Sequence, residues 1–341
     1  VSEELPGLDL VKLTAYLDER HPGLRDGELS AELIAGGRSN LTYSVTDGKH
    51  EWVLRRPPLG HVLATAHDMG REHRVITALR DTAVPVPTTV LLCTDDSVLG
   101  APFYVMDRTP GVVLRTQQDA HWVNPEQARA ISLHLIEVLA DLHAVDPASV
   151  GLADFGRPEG FLSRQVARWK KQLDASRSRE LPGVDELHAK LADTVPVSGT
   201  PAIVHGDYRL GNTLIGKDPV RITGVLDWEM STLGDPLCDL GLLAVYSQGL
   251  GRDGAEITGS NSLPGLATIE EQIELYAQRS GRDVSRLGWY VGLSFFKLAV
   301  ILEGIHFRFV SGKTVGAGFD NIGKISPLLI GGGLNALAEE N

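Results

Sequence analysis

The apolar residues change period part-way along the chain, and this limits the possible folds more than any other feature. Glu32-Leu33-Ile34 runs into the turn-rich Gly36-Gly37-Arg38-Ser39-Asn40. Leu41-Thr42-Tyr43-Ser44-Val45, a turn at Asp47-Gly48-Lys49, and Trp52-Val53-Leu54-Arg55 follow. Strand, turn, strand, turn, strand reads as an antiparallel meander. An amphipathic helix over 9–20 precedes it, and residues 66–80 read as a helix after it. Val90 to Cys93 and Phe103 to Met106 read as two further strands. Beyond Pro110-Gly111 the period becomes helical. Asn124-Pro125 is a cap and first-turn pair, opening a helix over 125–145 with Ile131, Leu135, Leu139 and Leu142 on one stripe. Residues 161–178, 236–247, 268–280 and 285–309 also read as helices, and 202–204 and 222–226 as short strands. Gly331-Gly332-Gly333 is expected to break the chain near its end. A small sheet, a connector near 107–111 and a mainly helical half make an α+β chain, divided as 1–107 and 108–341.

At 341 residues the chain exceeds what one compact core holds well, in keeping with two lobes. Its formal net charge of −12 argues against a nucleic-acid-binding surface, which needs clustered cations. Two distant cysteines, Cys93 and Cys238, fit a reduced, cytoplasmic compartment. No signal peptide is expected. The most apolar late stretch, Trp289 to Leu302, contains Lys297 and is too short to span a bilayer, so a buried helix and no membrane partner are expected. Monomer and homodimer both remain open.

The chemistry concentrates in His205-Gly206-Asp207-Tyr208-Arg209-Leu210-Gly211-Asn212, behind the strand Ile203-Val204. Asp227 follows at the end of Ile222-Thr223-Gly224-Val225-Leu226. Phosphoryl transfer needs groups of this kind: one carboxylate to take the proton of the acceptor hydroxyl, and oxygen donors to hold Mg²⁺ against a triphosphate. A tight turn with a capping Asp would explain His205-Gly206-Asp207 alone, but not the whole ordered run between strands.

The run HGDxxxxN, then a strand ending in LDWE, then Gly234-Asp235-Pro236-Leu237-Cys238-Asp239-Leu240, resembles the aminoglycoside phosphotransferase and choline-kinase group. The resemblance is nearest to the phosphotransferase domains associated with acyl-CoA dehydrogenases. It extends through GGRSN, WVLRRPP, REHRVITAL, FYVMDRTPG and RQVARWKKQ. It implies a two-lobed, protein-kinase-like fold with a small antiparallel-sheet N-lobe and a mainly helical C-lobe. Gly206 stands where protein kinases have Arg, and Trp228-Glu229 where they have Phe-Gly.

By that resemblance Asp207 is the catalytic base, and Asn212 and Asp227 hold magnesium. Gly37, Ser39 and Asn40 belong to the loop covering the phosphates. Arg55 grips phosphate where protein kinases use Lys, and Glu72 is its ion-pair partner. Met106 and Asp107 fall at the hinge, whose backbone would bond adenine. Asp235 is the better helix cap and Asp239 the better brace for the catalytic loop. Glu229 faces the metals or the acceptor, or is a strand-end carboxylate bonded to backbone. The resemblance thus implies an ATP- and magnesium-dependent kinase acting on the hydroxyl of a small molecule. No room exists between Asp227 and Asp239 for an activation segment, which argues against protein substrates.

An aminoglycoside suits the acidic total charge. An anionic hydroxyacid or hydroxyacyl compound suits Arg164, Arg168 and Lys171, which share one helical face, if that face meets the acceptor. A nucleotide-binding pseudokinase with a regulatory or scaffold role is the alternative, supported by the irregular Gly loop and Arg55.

Overall fold

The computed structural model describes residues 5–34, 40–59, 67–248, 263–312 and 322–339. The chain divides into two units, one of Val1–Gly111 with Thr223–Ser231, the other of Val112–Ile222 with Thr232–Asn341. This differs from the expected division at 107/108. The connector stays with the first unit, and the segment carrying Asp227 joins it too. Local bonds account for that: Val225 donates its amide to the Pro85 carbonyl at 2.8 Å, and the Thr223 hydroxyl donates to the Pro110 carbonyl at 2.9 Å.

The first unit runs α1 (Leu10–Arg20), β1 (Ser30–Leu33), β2 (Leu41–Thr46), β3 (Glu51–Arg56), α2 (Met69–Leu79), β4 (Thr89–Cys93), α3 (Asp96–Leu99) and β5 (Phe103–Asp107). Its five strands lie in the order β1-β2-β3-β5-β4, every neighbouring pair antiparallel. Leu13 and Leu17 of α1 pack in one core with Tyr43, Leu54 and Phe103 of the sheet. The Asp9 carboxylate accepts from the amides of Val11 and Lys12 and so starts α1; Asp68 accepts from the Arg71 amide and starts α2. The two-residue alternation of β3 separates its adjacent arginines. Arg56 lies on the Trp52 and Leu54 face, where its guanidinium donates to the carbonyls of Gly7 and Leu99. Arg55 lies on the opposite face.

The second unit runs α4 (Pro125–Ala144), α5 (Phe161–Ser176), α6 (Val184–Asp193), β6 (Ala202–Val204), β7 (Thr213–Lys217), β8 (Val220–Val225), β9 (Thr232–Gly234), α7 (Leu237–Ser247), α8 (Ile269–Ser280), α9 (Leu287–Val310) and α10 (Ile322–Glu339), with the chain returning to the first unit inside β8. β6 pairs antiparallel with β9, and β7 pairs with β8. α4 opens with the Asn124 cap, elaborated into a capping box with Gln127. α9 packs against α10, α7, α5 and α6. Among the described residues it is the one helix long and apolar enough to cross a membrane, longer than the stretch the sequence singled out. Its apolar window is 67% buried within the protein, which accounts for the composition without a bilayer.

Gly331-Gly332-Gly333 corrects the expectation of a break, since all three lie inside α10. Their smallness serves packing. A Cβ on Gly332 would meet the Phe295 ring at 2.8 Å, and one on Gly333 would meet Leu187 at 2.7 Å. Gly331 faces open space. Alanine should therefore have opposite effects at neighbouring positions. Gly331→Ala is expected to raise unfolding free energy by about 0.5–1 kcal/mol through helix propensity. Gly332→Ala and Gly333→Ala are expected to lower it by about 1–3 kcal/mol through overpacking. Urea denaturation of the three variants measures this.

Candidate active site

In the first unit, Arg55 is the hub. Its Nε lies 2.9 Å from Glu72 Oε2, its Nη2 2.5 Å from Asp227 Oδ1, and its Nη2 3.9 Å from Glu229 Oε2. Oxygens of Glu72, Asp227 and Glu229 all lie within 4.8 Å of one another, so three carboxylates share one guanidinium. Among the described residues nothing accepts from Arg55 Nη1. Burial alone would disfavour the arginine's charge, but Glu72 and the other neighbouring acids outweigh it and hold the guanidinium charged. Burial likewise pushes the Glu72 carboxyl up, against the pull of Arg55 and a 2.9 Å hydrogen bond donated by the Tyr104 hydroxyl.

Asp227 is presented by an unusual backbone. At φ 67° and ψ 61° it occupies the left-handed region, and among the described residues no other non-glycine has a positive φ. This turns the chain from β8 into the 3-10 turn Trp228–Met230, which packs on α2. Such backbone persists where its surroundings fix it, and it concentrates at functional sites. Asp227 Oδ2 takes no hydrogen bond from the described residues, which leaves it as a hard oxygen donor.

Asn40 was expected in the loop covering the phosphates, and its side chain bonds within the Arg55 cluster. Its Nδ2 donates to Glu72 Oε1 at 3.3 Å and to Glu229 Oε2 at 3.1 Å, while Oδ1 takes His67 Nδ1 at 2.8 Å. Asn40 therefore ties Glu72 to Glu229. Glu229, whose role the sequence left open, belongs to the Arg55 cluster. Gly37 and Ser39 lie outside the described residues. Met106 and Asp107 sit within β5, between β3 and β4. The Asp107 amide already donates to Thr88 O at 2.8 Å and the Arg108 amide to Glu51 O at 3.0 Å, so neither N–H is available to adenine.

In the second unit, Asp207 sits on the loop after β6. Its Oδ2 accepts from Asn212 Nδ2 at 2.9 Å and lies 3.4 Å from Arg209 Nε; its Oδ1 accepts from the Tyr246 hydroxyl at 2.7 Å. Asn212 Nδ2 also donates to the Asp207 carbonyl at 2.9 Å, and no described residue donates to Asn212 Oδ1. Asp239 braces the loop: Oδ2 accepts from the His205 amide at 2.7 Å and Oδ1 from the Gly206 amide at 2.8 Å. Asp235 stands just ahead of Pro236, the N-cap of α7, and accepts from the Leu237 amide at 3.1 Å and from the Tyr290 hydroxyl at 2.9 Å.

Behind Asp239 stands His143, whose Nε2 lies 3.3 Å from Asp239 Oδ2 and whose Nδ1 lies 2.7 Å from the Tyr276 hydroxyl. Burial pushes the His143 pKa down, against the pull of the Asp239 carboxylate. Nε2–H donates to Asp239.

The basic stretch after Gly160 is largely spent on local bonds. Arg164 donates to the carbonyls of Arg157 and Glu159, Lys170 pairs with Asp174, and Arg177 with Asp185. Arg168 instead lies over the Trp169 ring, 5.5 Å from its centroid, and Lys297 approaches the same ring at 5.8 Å.

A model of the phosphotransferase enzyme family (APH) matches residues 30–280. This chain belongs to that phosphotransferase family. It is 35% identical over 316 residues to acyl-CoA dehydrogenase family member 11 of Rattus norvegicus, a match covering 89% of this chain and 40% of the relative. The chain thus spans about two fifths of the length of that relative. A solved structure from Ralstonia eutropha, itself described as a proposed aminoglycoside phosphotransferase, is 33% identical with a TM-score of 0.84, covering 97% of this chain and 98% of that one. The aminoglycoside phosphotransferase APH(4)-Ia, solved with AMP-PNP and hygromycin B, shares the fold at a TM-score of 0.59 and 18% identity, covering 97% and 98%. The fold of the phosphotransferase-family chain is therefore the kinase-like α+β one, with a small antiparallel sheet and a helical remainder.

Tyr246, Lys297, Arg209 and His143 were not singled out as site residues from the sequence. Lys297 had a usable signal, being the one charge between Trp289 and Leu302. Tyr246 in the apolar run Leu240–Val245 had a weaker one.

Asp239 generates a pH-dependence. Burial opposes its ionisation, but His143 and the loop amides outweigh burial and hold its pKa below the usual value. A carboxyl depressed on folding contributes stability that is fully present above its unfolded pKa of about 4 and is lost as pH falls through the folded value. Asp239→Asn is thus expected to be less stable than wild type at neutral pH, with the difference shrinking below about pH 4. Urea denaturation across that window measures it.

Proposed function

We propose that this chain is an ATP- and magnesium-dependent small-molecule kinase that moves the γ-phosphate of ATP to an acceptor hydroxyl. The observation that carries the reading is the Asp207 carboxylate, placed by Asn212 on a loop whose amides are pinned by buried Asp239. A carboxylate so fixed can accept the proton of a hydroxyl as its oxygen attacks phosphorus. The bond to the γ-phosphorus forms, the bond to the ADP oxygen breaks, and the proton passes to Asp207.

The first unit supplies the cation for the phosphates. Arg55 is anchored by Glu72, with Nη1 left for a phosphate oxygen. The donors expected for magnesium suit that ion chemically: Asp227 Oδ2 is a carboxylate oxygen and Asn212 Oδ1 an amide oxygen, and neither is taken by a described hydrogen bond. Magnesium, when bound, neutralises charge on the triphosphate.

For the acceptor, the charges next to the base favour an anion. Arg209 lies 3.4 Å from Asp207 Oδ2, and the Lys297 ammonium is 2.7 Å from the Gly206 carbonyl; Arg168 faces the same Trp169 ring as Lys297. A polycationic aminoglycoside would meet repulsion there, whereas a hydroxyacid or hydroxyacyl thioester would not. Similarity to acyl-CoA dehydrogenase family members supports the same choice. The aminoglycoside reading is supported by the names of the structural neighbours.

ADP release from Mg·ATP, screened over hydroxyacids, hydroxyacyl-CoA compounds, aminoglycosides and choline-like amines, tests the proposal. Wild type should turn over, and Asp207→Asn should lose about 10²–10⁴-fold in kcat at an unchanged melting temperature. Equal turnover in the variant rules out the assigned base. Binding of Mg·ATP without turnover on any acceptor, water included, would favour the pseudokinase.

A further inference from the structure

Lys297 lies on α9, in a helix whose neighbouring side chains are almost all buried and apolar. It is half-buried, and among the described residues no carboxylate lies within ion-pairing distance of its ammonium. Burial pushes its pKa down. A partly desolvated ammonium with no carboxylate in direct contact is costly even with Asp207 and Asp239 nearby to offset burial, and a methionine or leucine would fill the same space without that cost. What the ammonium does have is the Gly206 carbonyl at 2.7 Å and the face of Trp169 at 5.8 Å.

Gly206 is the residue before the proposed base, and its φ of +86° is one that side-chain-bearing residues rarely adopt. Both of its backbone polar groups are held, from different helices. Its N–H donates to Asp239 on α7, and its carbonyl accepts from Lys297 on α9. The Gly206 carbonyl belongs to the peptide unit that leads into Asp207. A donor at that oxygen fixes the plane of the peptide, and with it the direction in which the Asp207 Cα–Cβ bond leaves the loop.

We propose that Lys297 is a positioning residue for the phosphoryl-transfer reaction, fixing the Gly206–Asp207 peptide through its carbonyl while Asp239 fixes the preceding amide. The inference rests on Asp207 being the base. Lys297 acts through the backbone of the loop and need not touch the acceptor. Tyr246, which donates to Asp207 Oδ1 at 2.7 Å, holds the other end of the same residue, its carboxylate. Burial pushes the Tyr246 pKa well up, so its hydroxyl stays protonated and remains a donor.

Three variants and two readouts test the role: Lys297→Met, Lys297→Arg and, as the control for the base itself, Asp207→Asn. The first readout is steady-state ADP release from Mg·ATP, with water or the best acceptor from the screen. The second is hydrogen exchange of the peptide spanning 202–210, which needs no turnover. Lys297→Met should lower kcat about 10–100-fold, the cost of a slightly misplaced base, with KM for Mg·ATP within about twofold. It should speed exchange in 202–210 while leaving the α4 and α8 peptides and the melting temperature unchanged. Lys297→Arg keeps a donor and should restore most of kcat and of the protection.

Unchanged kcat together with unchanged exchange in Lys297→Met overturns the proposal. So does a loss of kcat with no change in exchange, because Lys297 would then be acting directly on substrate. A fall in melting temperature with faster exchange everywhere, not repaired by Lys297→Arg, reduces Lys297 to a packing residue and overturns it equally. Full activity in Asp207→Asn instead refutes the base, and the exchange result then still reports whether Lys297 holds the loop.

Discussion

One guanidinium organises the first unit. Arg55 meets Glu72, Asp227 and Glu229 from a single position on β3. Without it three carboxylates would crowd together in a poorly solvated place, and like charges at such separations strongly disfavour joint ionisation. The cluster draws on distant parts of the sequence: Arg55 from the sheet, Glu72 from α2, and Asp227 and Glu229 from a segment that returns after more than a hundred residues of the second unit. Two supports come from neighbours, as Tyr104 donates to Glu72 and Asn40 bridges Glu72 to Glu229. Chain entropy works against gathering such remote groups, and the attraction of one cation for three anions works for it.

The second unit solves a different problem, that of holding a short glycine-containing loop still. Asp239 reaches the amides of His205 and Gly206 from α7, and His143 with Tyr276 holds Asp239 in turn. Lys297 reaches the Gly206 carbonyl from α9. Helices α7 and α9 are largely buried and apolar, and at the loop they present a few polar residues, Asp239 and Tyr246 from α7 and Lys297 from α9. Rigid helices thereby position a loop residue, which suits chemistry that depends on the placement of one carboxylate.

Much of this was legible in the sequence because local rules and tertiary structure agree. Two-residue alternation and turn residues predict β2 and β3, and the three-to-four spacing after Asn124-Pro125 predicts α4. Alternation on β3 also separated Arg55 from Arg56, and the structure gives them different partners. Where reading failed, packing had overruled propensity. Three consecutive glycines looked like a break, yet Phe295 and Leu187 leave room for nothing larger at two of them. The side-chain partners of Asn40, which are Glu72, Glu229 and His67, come from distant positions that the glycine loop gives no sign of. Lys297 and Tyr246 act on residues some 90 and 39 positions away, a separation no local pattern encodes.

The account depends most on Arg55 being the cation that receives the triphosphate, with its carboxylate neighbours serving to hold it. Calorimetric titration of Mg·ATP into wild type and Arg55→Met, each checked for an unchanged far-ultraviolet spectrum, tests this most directly. Loss of a desolvated charge–phosphate contact should weaken binding by at least about tenfold, or roughly 1.4 kcal/mol. Equal affinity in the two proteins would contradict it, and would leave Arg55 as a structural neutraliser of its three acids.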